Sequence, residues 1–267
     1  MKKLLKKLEA KATQHQIPVK KMFEIFVEMQ YLYVIAGVSE SKYYAYTQAV
    51  SEITTAYLNE VKRKPFSDVL GETMAHINLL KNGKRDKHCQ HFTPNEVSYV
   101  VCGMLDTKPN QLEKTYVCDI ACGSGALALS KLKDFKKKGQ KKEISIVLND
   151  LDSFICKVAT IQLEYNKLFF INYPTSYVIY NHDALLEYEE FALNGLTEKT
   201  KIVGCDSPAL ITYDLVQRAL GSPEHIQSIL QVYSLTTVMV INHWLLSKVS
   251  NSLNQAANDT VEVREVV

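Results

Sequence analysis

Apolar residues recur at helical spacing through the first third of the chain, where Gly and Pro are sparse. Asp68 precedes the last such stretch and is a good N-cap residue for a helix. An Asn-Gly turn signal at residues 82–83 follows that stretch. The pattern predicts helices over residues 22–32, with Gly37 as the stop, over residues 41–64 and over residues 68–80. We therefore expect a helical region over residues 1–88.

The pattern changes after residue 115, where short apolar runs with β-branched residues alternate with helical stretches. The predicted strands cover residues 115–120, 144–148, 176–180, 200–205 and 236–241. A predicted helix over residues 152–167 carries an apolar face formed by Phe154, Val158, Ile161 and Tyr165. Strands that alternate with helices are typical of a parallel sheet, so the sequence predicts an α/β domain over residues 89–267.

Charge is distributed unevenly along the 267 residues, although the formal net charge is only +2. Residues 1–142 contain 24 Lys and Arg against 14 Asp and Glu, and residues 143–267 contain 7 against 15. A basic half beside an acidic half suits a protein that contacts a polyanion such as DNA with one face. A solvated surface is the alternative interpretation, and the densest basic run, residues 131–142, also suits a helix end and an exposed loop.

The six cysteines are scattered, without C-x-x-C pairs or neighbouring histidines at metal-ligand spacing. No stretch approaches the roughly 18 apolar residues of a membrane span. With 46% hydrophobic and 22% charged residues, the chain can bury a core of ordinary size. We expect a reduced, cytoplasmic protein with no structural metal and no membrane association.

Polar residues cluster where the predicted strands end. The first strand leads into D-I-A-C-G-S-G at residues 119–125, whose glycines let the backbone turn sharply and approach a ligand. The next three strands end near Asp150, Asp183 and Asp206. Ligands bind at the carboxyl edge of open α/β sheets, so these residues predict a site there. An Asp in such a position can also cap the following helix, which is the interpretation that we favour for Asp152.

Three segments in this order resemble the adenine-N6 DNA methyltransferases. They are D-V-L-G-E at residues 68–72, H-F-T-P at residues 91–94 and D-I-A-C-G-S-G at residues 119–125. The chain looks most similar to the modification subunits of type I restriction systems, over roughly residues 65–246. The resemblance implies an α/β fold, namely a Rossmann-like S-adenosylmethionine-dependent methyltransferase sheet preceded by an α-helical N-terminal domain.

The resemblance also assigns the residues that hold the methionine part of S-adenosylmethionine. Phe92, Thr93 and Pro94 would line the methionine end, and the Gly-rich loop would hold the amino acid part. The loop residues assigned in this way are Asp119, Ala121, Cys122, Gly123, Ser124 and Gly125.

The nucleoside part of the cofactor is assigned to the ends of the second and third strands. By the resemblance, Asp150 would bind the ribose hydroxyls, Leu151 would lie against the adenine face, and Asp183 would accept from the exocyclic amine. His182, next to Asp183, is interpreted as structural.

The catalytic segment departs from the family pattern. Where the family has N-P-P-F/Y, this chain has D-S-P-A at residues 206–209. The resemblance gives Asp206 and Pro208 the catalytic positions, at which a side chain and a backbone carbonyl accept hydrogen bonds from the target amine. Ser207 removes a proline that pre-sets the turn. Ala209 removes the aromatic ring that stacks on the flipped base.

Two functions follow from this resemblance. The first is a site-specific adenine-N6 DNA methyltransferase of restriction-modification type, working with a specificity subunit or as a homo-oligomer. The second is an inactive relative that binds S-adenosylmethionine or DNA as a scaffold, regulator or decoy. Methylation of a small molecule or protein ranks third, because it leaves the F-T-P segment and the basic half unexplained. Only about 59 residues follow Pro208, so we expect the sheet to be truncated at its C-terminal end.

Overall fold

The computed structural model describes residues 1–32, 40–79, 93–104, 114–139, 142–184 and 201–205. The seven helices in these ranges are α1 (Lys2–Gln14), α2 (Val19–Gln30), α3 (Thr47–Arg63), α4 (Val69–His76), α5 (Asn95–Met104), α6 (Ala126–Lys137) and α7 (Ser153–Phe170). A 3-10 helix, Ser41–Tyr46, leads directly into α3. The strands are β1 (Lys114–Asp119), β2 (Glu143–Asp150), β3 (Thr175–Asn181) and β4 (Lys201–Cys205).

The N-terminal helices bury apolar side chains against one another and against α7. Leu4 and Leu8 of α1 are fully buried. An edge-to-face aromatic chain runs from Phe26 on α2 to Tyr57 on α3 and on to Tyr165 on α7, with ring centroids 5.9 and 5.7 Å apart. Such pairs add to the free energy gained by burying apolar surface. The helical region therefore shares one core with the sheet region, and the predicted boundary at residue 88 lies outside the described residues.

Asp68 caps α4, as the sequence predicts, and its side chain accepts a hydrogen bond from the Gly71 amide at 2.8 Å. The predicted end of this helix is wrong, because α4 ends at His76 instead of continuing to residue 80. Asn78 takes a left-handed φ of 52°, which a right-handed helix cannot continue. Asn is one of the few residues that adopt this conformation at low cost, so it stops the helix before the Asn-Gly signal is reached.

The first three strands form a parallel sheet in the order β1-β2-β3, with α6 and α7 as the crossover helices, and this confirms the predicted α/β fold. In the register of the sheet, Asp119 pairs with Leu148 and Asp150 with Asn181. The carboxyl ends of β1, β2 and β3 therefore lie side by side at one edge.

The fourth strand corrects the expectation of a wholly parallel sheet, because β4 pairs antiparallel with β3. Lys201 lies opposite Asn181, and Cys205 lies opposite Val178, so the carboxyl end of β4 points away from the edge at which the other three strands end. The sequence pattern of a strand shows its alternation and its length, and both are the same for a parallel and an antiparallel strand. Direction depends on the connection, since a parallel pair needs a crossover and an antiparallel pair does not.

Contacts with two helices hold β4 in place. The Tyr31 hydroxyl donates a buried hydrogen bond to the Val203 carbonyl at 2.7 Å. Gly204 faces Thr160 of α7 so closely that a Cβ at residue 204 would lie 2.3 Å from the threonine hydroxyl oxygen. The predicted strand over residues 236–241 lies outside the described residues.

Helix α7 is buried on nearly all sides, because it packs on β2, β3 and β4 and also on α2, α3 and α4. The sequence predicts only one apolar face. Its other face is buried through polar side chains, among them Gln162 and Asn166, which are 0% and 1% exposed. None of the helices in the described ranges combines the length and the hydropathy that a membrane crossing requires.

Candidate cofactor-binding site

The Gly-rich loop joins β1 to α6 at the carboxyl edge of the sheet. The Cys122 amide donates to the Asn149 carbonyl of the neighbouring strand at 2.8 Å, and the Gly125 amide donates to the Cys122 carbonyl at 2.9 Å. Gly125 takes a left-handed φ of 88° and is the N-cap of α6. A side chain there would strain the backbone, so the glycine sets the angle at which the loop enters the helix.

Two carboxylates hold the amide groups of this loop. Asp119, at the end of β1, accepts from the Ala121 amide at 3.1 Å. Asp150, at the end of β2, accepts from the Gly123 amide at 2.9 Å with one oxygen and from the Asp152 amide at 2.9 Å with the other. An ionised carboxylate has about four acceptor positions, so both groups retain capacity for a ligand.

Burial and a neighbouring carboxylate both act on Asp119. Burial raises the pKa of Asp119, and the negative charge of Asp150 raises it further, while the hydrogen bond from Ala121 acts in the opposite direction. A pair of carboxylates at one edge favours a ligand that brings positive charge or hydrogen-bond donors.

Asn149 ties the ends of the three parallel strands together. Its side-chain amide donates to the Ile120 carbonyl at 3.0 Å and to the His182 carbonyl at 3.2 Å. Its oxygen accepts from the His182 amide at 3.2 Å. The predicted ligand Asp183, half-buried and two residues beyond β3, is thereby fixed beside the end of β2.

Apolar side chains flank the carboxylates. Leu151 is 49% exposed directly after Asp150, and Ile120 is 63% exposed directly after Asp119. Exposed apolar groups next to hydrogen-bonding groups are the usual composition of a site for a planar ring with a polar edge.

The loop is also held from below by a buried polar network. The Ser124 hydroxyl donates to the Asp68 carboxylate. Gln162 of α7 donates to Asp68 at 2.7 Å and to the Ser124 carbonyl at 2.8 Å, and it accepts from the Leu70 amide at 3.0 Å. Burial raises the pKa of Asp68, while these hydrogen bonds act to lower it. Three separate segments thus meet under the loop.

A further hydrogen bond connects this network to the T-P element. Asn95, the first residue of α5, accepts from the Asp68 amide at 2.9 Å and donates to Glu72. Thr93 and Pro94 immediately precede Asn95. The hydrogen bonds of Asn95 therefore place Thr93 and Pro94 next to the network beneath the loop.

The predicted site residues fall into three groups. The structure brings the loop together with the strand-end residues Asp150, Leu151 and Asp183. The side chains of Cys122 and Ser124 are buried and turn inward, so any contact of these two with a ligand uses their backbone. The residues Phe92, Asp206 and Pro208 lie outside the described residues. The expectation that the strand before Asp206 ends at the same edge as the other three is wrong, because β4 is antiparallel.

Sequence reasoning missed Asn149, Gln162 and Asn95. Asn149 precedes Asp150 at a strand end, and this position in the sequence could have identified it as a site residue. Gln162 is fully buried and hydrogen-bonded in the structure, but its position outside the predicted apolar face of the helix gave no sign of this. Nothing in the sequence distinguishes Asn95 from an ordinary helix-start residue.

The residues present fit S-adenosylmethionine by their chemistry. Asp119 and Asp150 offer acceptors to its ammonium and ribose hydroxyl groups, and Leu151 offers an apolar surface to its adenine ring. Within the described ranges, no three His, Cys, Asp or Glu side chains are arranged to hold a metal ion.

Comparison with known proteins identifies the family. No curated protein matches the chain at a significant level. One similar solved structure is a crystal structure, at 2.20 Å resolution, of a protein from Listeria monocytogenes described as a class I S-adenosylmethionine-dependent methyltransferase. That similarity has 15% identity and a TM-score of 0.42, and it covers 67% of this chain and 52% of that one, about half its length. The model of the N-6 DNA methylase family matches residues 66–202, just over half of the chain, and the chain therefore belongs to that family.

Proposed function

We propose that the protein is an S-adenosylmethionine-dependent DNA methyltransferase that acts on the N6 amine of adenine. The observation that carries the proposal is the pairing of Asp119 and Asp150, at the ends of adjacent parallel strands, with the amides of the Gly-rich loop. Family membership supports DNA as the substrate. The uneven charge, with its excess of Lys and Arg in residues 1–142, supports it independently.

Cofactor binding uses the chain's own acceptors. Asp150 would hold the ribose hydroxyls, Asp183 would accept from the adenine amine, and Leu151 would pack on the ring. The loop amides and Asp119 would hold the amino acid part, and Phe92, Thr93 and Pro94 would line the methionine end.

The transfer step needs a nucleophilic amine. S-adenosylmethionine supplies an electrophilic methyl group. By the family pattern, Asp206 and the backbone at Pro208 would accept hydrogen bonds from the adenine N6 amine, which directs its lone pair toward that methyl group. This role requires the chain after β4 to turn back to the cofactor edge, because β4 is antiparallel and Cys205 lies opposite Val178. Asp206 would accept the proton that the N6 amine loses when it takes up the methyl group.

A second function is favoured by Ala209. Loss of stacking on a flipped base costs about 1 to 3 kcal/mol, which weakens capture of the base by roughly tenfold to a hundredfold. A protein with this defect serves as a scaffold, regulator or decoy that binds S-adenosylmethionine or DNA without turnover. A specificity subunit or a second copy of the chain would direct either function to its DNA.

The deciding experiment separates cofactor binding from turnover. The purified protein is titrated with S-adenosylmethionine in a calorimeter and then incubated with it and adenine-rich DNA. The DNA is digested, and N6-methyladenine is quantified by mass spectrometry. We expect binding, and a methyladenine signal above that of a Gly123→Asp control. Absence of cofactor binding would contradict the assigned site.

Binding without a methyladenine signal would favour the second function. The double variant Ser207→Pro, Ala209→Tyr then provides a further test, because it rebuilds the family's turn and aromatic ring. A gain of turnover in this variant would identify a weakened enzyme. No gain, with cofactor binding intact, would assign the non-catalytic role.

A further inference from the structure

A groove of about 820 Å³ lies where the ends of α3 and α6 meet, and the Gly-rich loop does not contribute to it. Its walls include Arg63 and Lys64 at the end of α3 and Lys137, the last residue of α6. Because α6 begins at the loop and has 12 residues, the far end of that helix lies about 18 Å from the loop. The lysine end of the groove therefore lies away from the loop, while Glu72 and Asn95 at its other end belong to the network beneath the loop.

The groove has a formal excess of three positive charges, since five cationic and two carboxylate side chains line it. The cations are Arg63, Lys64, Lys133, Lys136 and Lys137. The carboxylates are those of Glu72 and Glu96. The C-terminal ends of two helices add only about half a negative charge each, so the field in the groove stays positive.

Aromatic rings, instead of carboxylates, contact these lysines. The ammonium groups of Lys133 and Lys137 lie 5.7 and 4.7 Å from the centre of the Tyr99 ring. That of Lys136 lies 5.8 Å from the Phe66 ring centre and donates to the Phe170 carbonyl at 2.7 Å. A ring orients a cation without neutralising it.

Ion pairs do not remove the charge of the lysines either. No ion pair to Lys64, Lys133, Lys136 or Lys137 is formed within the part of the chain that the structure describes. Arg63 differs, because it pairs with Glu60. Four ammonium groups of the groove are thus outside any ion pair among the described residues.

The preference of lysines for solvated helix ends explains the position of only some of the lysines in the groove. Lysines in the last turn of a helix interact favourably with its dipole, which accounts for Lys136 and Lys137. Lys133 lies a full turn earlier, and Lys64 belongs to a different helix, 69 positions away along the chain. Their convergence on one groove is not required by either helix.

We propose that this groove binds the phosphate backbone of double-stranded DNA and anchors it independently of base sequence. The inference rests on the proposed function, because it takes DNA as the polyanion. Lysine contacts to phosphates supply affinity and position a duplex, and they carry no base specificity. The lysines at the end of α6 lie about 18 Å from the Gly-rich loop, so they would contact phosphates outside the cofactor site.

The test measures binding of a fluorescently labelled, random-sequence duplex by anisotropy at increasing salt, without cofactor. The triple variant K64Q/K133Q/K137Q removes three groove charges. The control K2Q/K3Q/K6Q removes three exposed charges from α1, outside the groove. Each lost phosphate contact lowers the slope of log affinity against log salt by about 0.9, so the groove variant is expected to lose about 2.7. The control is expected to retain the wild-type slope.

Circular dichroism and S-adenosylmethionine binding, measured on both variants, verify that the fold and the cofactor site are intact. A wild-type slope in the groove variant would overturn the proposal that the groove binds DNA. It would leave DNA as the proposed substrate. A wild-type protein that binds S-adenosylmethionine but no duplex at low salt would overturn both the groove and the DNA substrate. Binding of a polyglutamate peptide in place of DNA would assign the groove to an acidic protein partner and overturn the proposal.

Discussion

At the scale of single residues, the site depends on backbone amides more than on side chains. Asp119 and Asp150 fix the amides of the loop, and Asn149 fixes the carbonyls around it. The sequence predicted the two carboxylates, because acids at strand ends follow a known pattern. It did not predict the role of Asn149, because an asparagine at a strand end is compatible with many turns.

Replacing Gly125 with alanine should strain the loop. A left-handed φ costs a non-glycine residue about 1 to 2 kcal/mol, although a Cβ would have ordinary space, 3.5 Å from that of Ala159. Gly139 is a matched control, because it also has a left-handed φ, of 63°, with nothing within 4 Å. Urea unfolding should show a similar loss for Gly125→Ala and Gly139→Ala. Calorimetry should show weaker S-adenosylmethionine binding for Gly125→Ala only, and equal binding by both variants would contradict the assigned loop.

As the pH is lowered, the affinity for S-adenosylmethionine should begin to fall at a higher pH than it would if Asp119 had the pKa of an ordinary aspartate. The ammonium group of the cofactor favours ionised Asp119, so affinity is complete above the pKa of this group and is lost as the pH falls through it. Burial raises that pKa above 3.8, which moves the loss upward. Calorimetry from neutral pH downward measures the midpoint. The variant Asp119→Asn should bind weakly with a flatter pH profile, and an unchanged profile would exclude Asp119 as the titrating group.

At the scale of elements, local pattern determined which segments are helices and strands, and packing determined how they are arranged. The bounds of β1 to β4 agree with the predicted strands within two residues at each end. The direction of β4 could not be predicted, because it depends on contacts with distant residues such as Tyr31 and Thr160. The burial of α7 on both sides was also missed, because Gln162 and Asn166 look like solvent-facing residues until their hydrogen-bond partners are known.

The contact between β4 and α7 predicts a coupled pair of substitutions. Gly204→Ala should lower the free energy of unfolding by about 1 to 3 kcal/mol, because the new methyl group would overlap the Thr160 side chain. Thr160→Ala should destabilise the wild-type protein but partly rescue Gly204→Ala, since it removes the overlapping atoms. A double-mutant cycle by urea unfolding measures the coupling, about 0.5 kcal/mol or more for residues in contact. Additive effects would show that the two elements are not packed in this way.

At the scale of the whole molecule, the N-terminal helices and the sheet region share one core. The Lys157 ammonium on α7 donates to both carboxylate oxygens of Glu28 on α2, at 2.7 and 2.8 Å, beside the aromatic contacts between these regions. The sequence predicts two regions because its periodicity changes between them. Periodicity cannot reveal that the two regions share an interface, because interface residues look like core residues of either region.

This shared core predicts cooperative opening of both regions. Hydrogen exchange, followed by mass spectrometry at increasing urea below the unfolding transition, should give the slowest amides of α2 and α7 the same opening free energy. Helix α5 serves as the internal comparison, because only Ser98 and Cys102 are buried on it, and it should exchange through smaller openings. Opening of α2 at a clearly lower free energy than α7 would show that the helical region is an independent domain.

The buried position of the Ser124 side chain affects how such a sequence can evolve. Its hydroxyl is bound to Asp68 beneath the loop, and Gln162 binds both residues, so this part of the motif is needed for folding as well as for the cofactor. Selection for a stable chain would preserve the Gly-rich loop even in a lineage that has ceased to transfer methyl groups. Departures from the family pattern, such as the D-S-P-A segment at residues 206–209, can then coexist with an intact loop.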